Sequence, residues 1–273
     1  MKVVCNQQNL VQGLSRVVPA AATRNTMPIL SHVLIRGRAN GLDLVATDLQ
    51  IGMESRIEAE IVDGGGVTIP ARKLFDIVRE LPGGSVQIAM DDGGRVSIKS
   101  GSFSCRIVAL PEEEFPVLPT VEESRTLEMD PVIFASMVHK TAFAVSQDET
   151  RMNLTGLYIK TEVGSTDLEM VATDSHRLAL SRHQLTQPSP LSLGVLVPRK
   201  AMEEVARLAG EQEGPVRITA AQTHAKFTVG PVTILARLIE GKFPPYAQVI
   251  PKETQRRLSL NREEFLSATR RIQ

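Results

Sequence analysis

Leu10, Leu14, Val17 and Val18 recur at helical spacing, while Gln8, Gln12 and Arg16 return every fourth residue on another face. That pattern predicts an amphipathic helix with an amide and basic stripe. A second helix is expected over about 71–81, with Leu74, Val78 and Leu81 inward, and a matching one over about 199–209. Between and after these helices the chain alternates with period two, at 31–38, 42–46, 86–89 and 96–99. Ala39-Asn40-Gly41 and Asp91-Asp92-Gly93-Gly94 interrupt the alternation as hairpin signals. Mainly antiparallel strands with two helices on one face give an α+β unit.

The pattern occurs twice. Val45-Ala46-Thr47-Asp48 returns as Val171-Ala172-Thr173-Asp174, 126 residues on, and Phe115-Pro116 returns as Phe243-Pro244, 128 on. Between them, Pro70-Ala71-Arg72-Lys73 returns shortened as Pro198-Arg199-Lys200. Three matches in one order at nearly constant spacing indicate an internal duplication. The expected domains are 1–121 and 122–251, with polar linkers at 120–126 and 252–257. Residues 252–273 hold the second linker and the start of a third copy: a short strand at Leu258-Ser259-Leu260, then a helix in which Phe265 aligns with Leu10 and Phe134. One helix cannot build its own core, so the natural chain is expected to continue for roughly another hundred residues.

Composition changes this picture little. The 273 residues carry 31 Lys+Arg against 31 Asp+Glu with 42% hydrophobic residues, which excludes disorder and suits two domains. There is no run of eighteen apolar residues and no secretory core at the start, so a cytoplasmic, non-membrane protein is expected. Two cysteines, Cys5 and Cys105, make no disulfide framework or zinc cluster. Aromatic residues at 4%, without Trp, argue against a stacking platform for single strands.

Duplication supplies an internal control: residues shared by both copies are scaffold, and residues peculiar to one are site candidates. Asp48 and Asp174 are shared and read as carboxylates tying down a turn. Ser175-His176-Arg177-Leu178, by contrast, stands where copy one has Leu49-Gln50-Ile51-Gly52. Asp174 and His176 alone could be an acid–base pair or two metal ligands, which keeps a hydrolase as the alternative reading. On a strand, however, both would share one face with no third ligand evident, leaving a plain histidine or a partner-binding groove. The runs Gly64-Gly65-Gly66 and Gly83-Gly84 lack the ending of a phosphate loop. Arg72-Lys73 and Arg199-Lys200 fall in a first helical turn, where the macrodipole disfavours cations by a few tenths of a kcal/mol. With Arg16, Lys140 and Arg271 they form a modest positive strip, suited to phosphate oxygens or to local ion pairs with Asp76, Glu80, Glu203 and Glu204.

The run Val171 to Ala179 (Val-Ala-Thr-Asp-Ser-His-Arg-Leu-Ala), Val197-Pro198-Arg199-Lys200, Phe243-Pro244 and the repeat spacing together resemble the bacterial β sliding clamp of DNA polymerase III. The resemblance covers the whole chain. It implies tandem DNA-clamp domains, each two helices packed on antiparallel sheets, in a non-catalytic processivity factor without cofactor or metal. Three such domains per chain would form a head-to-tail homodimeric ring around duplex DNA, opened by a clamp loader and tethering the replicative polymerase. By the match, Arg24, Lys73, Arg151 and Lys200 face DNA. Short linear partner peptides would enter a pocket including Leu154, Thr173, Ser175, His176, Arg177, Leu178, Pro244, Gln248 and Val249. Ser175 replaces a frequent glycine, Gln248 a frequent basic residue, and 151–156 departs from the tyrosine-bearing version common in the family. The ring interface would involve Cys105, Arg106, Ile107 and Ile272. With the third copy stopping after one helix, this chain is not expected to close the ring itself.

Overall fold

A computed structural model describes residues 1–23, 27–39, 41–91, 93–122, 125–251, 253 and 255–272. Arg24, Asn40, Asp92 and, in the linkers, Glu123, Ser124, Lys252 and Thr254 lie outside the described residues. The first half runs β1 (Lys2–Asn6), α1 (Gln7–Val17), β2 (His32–Arg38), β3 (Gly41–Thr47), β4 (Ile51–Ile57), β5 (Ala59–Asp63), β6 (Gly65–Pro70), α2 (Ala71–Glu80), β7 (Ser85–Met90), β8 (Arg95–Ser100) and β9 (Phe103–Val108). The second half repeats the order: β10 (Leu127–Met129), α3 (Pro131–Thr141), β11 (Gly156–Thr161), β12 (Asp167–Thr173), β13 (Leu178–Gln184), β14 (Leu193–Pro198), α4 (Arg199–Glu211), β15 (Val216–Ala220), β16 (His224–Val229) and β17 (Val232–Arg237). Among the described residues only β5 lacks a counterpart there.

Local chemistry repeats with the order. Asn6 caps α1 by accepting from the N–H groups of Gln8 and Asn9, and Asp130 caps α3 by accepting from those of Val132 and Ile133. The other helix of each half follows a proline, Pro70 or Pro198, with no side-chain cap. α1 packs on α2 and α3 on α4. Leu10, Leu14, Leu74 and Val78 are fully buried in the first half, each such side chain contributing about 1.5–3 kcal/mol of burial. Gly13 sets the approach: a Cβ there would lie 2.6 Å from both Leu44 Cδ1 and Ile57 Cγ2, so α1 rests directly on β3 and β4. In the second half Phe134 of α3 meets Phe227 of β16 edge to face, with centroids 6.3 Å apart.

Every strand pair is antiparallel, and each half makes two sheets. In the first half these are β5-β1-β7-β8-β9 and β4-β3-β2-β6; in the second, β10-β15-β16-β17 and β13-β12-β11-β14. β17 pairs with β4, with Val232 opposite Ser55 and Ala236 opposite Ile51, and so fuses one sheet from each half into eight strands. That seam makes Met1–Lys242 one compact unit. Arg16 of α1 reinforces it by donating to Gln212 Oε1 at 3.1 Å.

Phe243–Gln273 is a second unit, holding a 3-10 turn at Tyr246–Gln248 and α5 (Arg262–Arg270). Asn261 caps α5 as Asn6 caps α1. Residues 258–260, expected as a strand, form none: a strand needs a neighbour for its backbone groups, and no ladder reaches them among the described residues. No helix among the described residues is long and apolar enough to cross a membrane.

Candidate partner-binding loop and cationic face

β3 and β4 are joined by a turn that the hydrogen-bonding side chains of Thr47 and Asp48 dictate. Thr47 Oγ1 donates to the Ile51 carbonyl at 2.8 Å and accepts from the Leu49 N–H at 3.0 Å. Asp48 Oδ1 accepts from the N–H groups of Gln50 and Ile51 at 3.0 and 2.8 Å. The turn between β12 and β13 is built alike. Thr173 Oγ1 donates to the Arg177 carbonyl at 2.8 Å and accepts from the Ser175 N–H at 3.2 Å. Asp174 Oδ1 accepts from the N–H groups of His176 and Arg177 at 3.0 and 2.9 Å. Both turns carry a non-glycine residue in the left-handed region, Leu49 at φ 72° and Ser175 at φ 76°. Such a residue strains the backbone by about 1–2 kcal/mol, and four side-chain hydrogen bonds per turn hold it there.

This corrects the placement of Asp174 and His176 on a strand face. They sit on a turn, and the left-handed residue between them abolishes any period-two relation. Asp174 is fully engaged: besides the two N–H groups, its Oδ2 accepts from Arg177 Nε at 2.9 Å. Hydrogen bonding from the Arg177 backbone, helped by that of His176 and by the Arg177 guanidinium, holds its carboxyl below the usual aspartate range despite some desolvation. A carboxylate so stabilised is a poor general base, and no group of three His, Cys, Asp or Glu residues that could hold a metal occurs among the described residues. The hydrolase alternative has no support in this geometry.

Around the second turn, Ser175, His176 and Arg177 are exposed and Leu178 is half-buried. Arg151 Nη1 donates to Ser175 Oγ at 3.1 Å, bringing the 3-10 turn Met152–Leu154, with Leu154 buried, to the same region. The Arg177 guanidinium lies 5.7 Å from the ring centroid of Phe143, which is 53% exposed. Sequence reasoning missed Phe143. A signal existed: Val18-Pro19-Ala20 and Ala142-Phe143-Ala144 form the same 3-10 turn, and an aromatic ring has replaced a proline. Thr173, Ser175, His176, Arg177, Leu178 and Arg151 thus gather in the first unit. Pro244, Gln248 and Val249 belong to the second, where Phe243 meets Tyr246 edge to face at 6.0 Å and Val249 is 70% exposed.

The first turn has different surroundings. Ile51 and Gly52 are buried, and a Cβ on Gly52 would lie 2.7 Å from Leu118 Cδ2. Leu118 packs on a satellite cluster of Ile29, Leu30, Leu34, Val45 and Phe115. The chain's own segment 115–118 therefore lies against the Ile51–Gly52 end of this turn, with a cleft of only about 50 Å³ beside it, while Leu49 and Gln50 at the tip are exposed.

The cations expected on the helical side are partly committed elsewhere. Lys200 Nζ donates to Asp48 Oδ2 at 2.8 Å, an ion pair across the β4–β17 seam, and Arg199 pairs with Glu203 at 2.7 Å. Arg16 is engaged at the same seam. The local ion-pair reading of the strip is thus realised at Arg199, while Lys73 and Lys140 are exposed. Arg24 lies outside the described residues. Cys105, Arg106 and Ile107 lie on β9, an end strand: Cys105 is half-buried, Arg106 exposed and Ile107 buried. Burial raises the Cys105 thiol, opposed by the nearby Lys73 charge and a backbone hydrogen bond from Ile98. Ile272 is 88% exposed in the second unit.

Comparison with known proteins adds the family. Residues 1–119 match the model described as DNA polymerase III beta subunit, N-terminal domain, and residues 128–245 match that of its central domain. The chain is 34% identical over 277 residues to the beta sliding clamp of Caulobacter vibrioides, covering 100% of this chain and 74% of the relative. The DNA polymerase sliding clamp of Bacillus subtilis superposes with a TM-score of 0.94 at 30% identity, over 99% of this chain and 73% of that one. A sliding clamp from Pseudomonas aeruginosa, solved bound to griselimycin, gives 0.86 at 32% identity over 93% and 69%.

Proposed function

The chain belongs to the beta sliding clamp family of DNA polymerase III, and on that premise we propose that it acts as a non-catalytic processivity factor. In this reading its repeats, at 1–121, 122–251 and from 252, form part of a homodimeric ring around duplex DNA. The turn at Thr173–Leu178, with Leu154, receives short linear peptides of the replicative polymerase and the clamp loader. Arg24, Lys73, Arg151 and Lys200 face the duplex, and β9 with Ile272 contributes to ring closure.

One observation carries the reading. The two halves fix the same turn with the same hydrogen bonds, yet only the second follows its exposed tip with an exposed residue, Arg177 where the first has buried Ile51, and furnishes it with His176 and a nearby exposed aromatic ring. Shared bonds explain the scaffold; the exposed side chains peculiar to the second turn support a partner-binding role. A Pseudomonas aeruginosa clamp of the same fold has been solved bound to griselimycin, so a protein of this fold takes a ligand. The sparse cationic face fits as well, since a ring held by topology needs few phosphate contacts, and each adds only about 0.9 to the salt slope. The test is a chain extended by a complete third repeat and loaded on nicked circular plasmid. It should stay bound through gel filtration and leave when the plasmid is linearised; salt-sensitive binding indifferent to topology would reject the ring.

A further inference from the structure

We propose that Asp48 is a restraining residue for DNA: it holds Lys200 of the following repeat and competes with duplex phosphates for that cation. This role rests on the reading that places Lys73 and Lys200 against the duplex, and adds what sets the grip of each. Lys200 lies in the first turn of α4, where the positive helix terminus disfavours a cation. Asp48 answers it from the other repeat. Its Oδ2 accepts from Lys200 Nζ at 2.8 Å while its Oδ1 accepts from the N–H groups of Gln50 and Ile51. The two backbone bonds fix the carboxylate whether or not the lysine is there, so the pair costs only the ordering of the lysine side chain. With side chains 19% and 48% exposed, the carboxylate is the sheltered partner and the lysine the accessible one.

The repeats supply a contrast. Lys73, the counterpart of Lys200 in the first turn of α2, is exposed and forms no ion pair among the described residues. Asp174, the counterpart of Asp48, turns its second oxygen to Arg177 of its own turn. Both repeats thus carry the aspartate and the lysine, and only Asp48 and Lys200 meet. A lysine already neutralised must leave its carboxylate before it meets a phosphate, so only the difference between the two contacts strengthens binding. Lys73 therefore supplies a full phosphate contact, about 0.9 in the salt slope, and Lys200 only a small part of one. Contacts so easily replaced suit a body that moves along the duplex. The competition is reciprocal: when a phosphate takes Lys200, Asp48 loses its tie to the second repeat, and a duplex therefore opposes that contact at the seam.

Fluorescence anisotropy of a labelled duplex of about 20 base pairs, titrated with the chain between about 25 and about 150 mM salt, tests this. Asp48→Asn keeps an oxygen for the two N–H groups and removes the charge. It should raise affinity roughly three- to ten-fold at the lowest salt and steepen the salt slope by up to about 0.9. With Lys200→Gln in the same chain, Asp48→Asn should change neither. A turn that is merely loosened would not raise affinity, and a general effect of removing one negative charge would persist without Lys200. A second comparison leaves Asp48 in place: Lys73→Gln should lower the slope by about 0.9, and Lys200→Gln by less than half as much. Equal losses at the two lysines, or a gain from Asp48→Asn that persists without Lys200, would overturn the proposal. Binding that falls with Lys73→Gln and ignores Asp48→Asn would remove the proposal alone. No salt-dependent binding by any variant would remove the DNA-facing reading and the proposal with it.

Discussion

The turn between β3 and β4 and the turn between β12 and β13 share a backbone and four hydrogen bonds, and differ in what lies over them. In the first half Gly52 makes room for Leu118, which lies against it. In the second, Leu178 stands at the position of Gly52. Their aspartates differ likewise: Asp48 reaches out to Lys200 across the seam, while Asp174 turns back to Arg177 of its own turn. The first turn buries Ile51 and ties its aspartate into a joint between repeats; the second, with the same scaffold, presents Arg177 at that position to solvent.

The sharpest way to break the contrast is to exchange the residues at the cover. Gly52→Leu should collide with Leu118 and destabilise the chain by about 1–3 kcal/mol, whereas Leu178→Gly, on a half-buried site, should cost clearly less. Thermal unfolding of the two variants checks this; equal losses would mean that Leu118 does not cover the first turn.

Removing the aspartates comes next. Asp48→Ala should lower the melting temperature more than Asp174→Ala, because it also releases Lys200 at the seam. For Asp174 the pH dependence has a definite sign. Its folded carboxyl titrates below the unfolded value, so its contribution is complete above the ordinary aspartate pKa of about 3.9 and is lost as pH falls through the lower folded value. The difference in melting temperature between wild type and Asp174→Ala should therefore be constant from neutral pH to about 4 and shrink below it. A difference that shrinks already near neutrality would show the carboxyl is not held in its charged form.

The smallest effect concerns the left-handed residues. Ser175→Gly should stabilise by about 0.5–1 kcal/mol, since glycine adopts φ 76° without strain and gives up only an exposed hydrogen bond to Arg151. Leu49→Gly should gain less, because the residue borders the cleft beside Leu118. Denaturant midpoints at constant slope measure both.

How far these features could be read from the sequence follows from their physical range. Thr47-Asp48 and Thr173-Asp174 were legible because a short-range motif recurring at fixed spacing produces its hydrogen bonds locally. The helices of both halves were legible because their apolar period is local too. The β4–β17 seam was not: alternation shows that a strand has two faces, but nothing about which strand lies at its edge. Leu49 and Ser175 hid their left-handed backbone because neither is glycine. Phe143 was overlooked because a lone aromatic at a helix end reads as core until its partner Arg177 is seen beside it. The strand expected at 258–260 failed for the converse reason, since its pattern was present and its ladder was not.

The central claim is that the second turn alone receives partners, and one measurement addresses it directly: biolayer interferometry of the cognate replicative polymerase on the immobilised chain. The variant carries Ser175→Leu, His176→Gln, Arg177→Ile and Leu178→Gly, which write the first turn's side chains onto the second turn's backbone. Circular dichroism should show it folded, as Leu49 shows that the left-handed position accepts leucine. The account predicts about ten-fold or greater loss of affinity, with Gln50→Ala in the first turn unchanged. Undiminished binding by the four-residue variant, or an equal loss at Gln50, would contradict it.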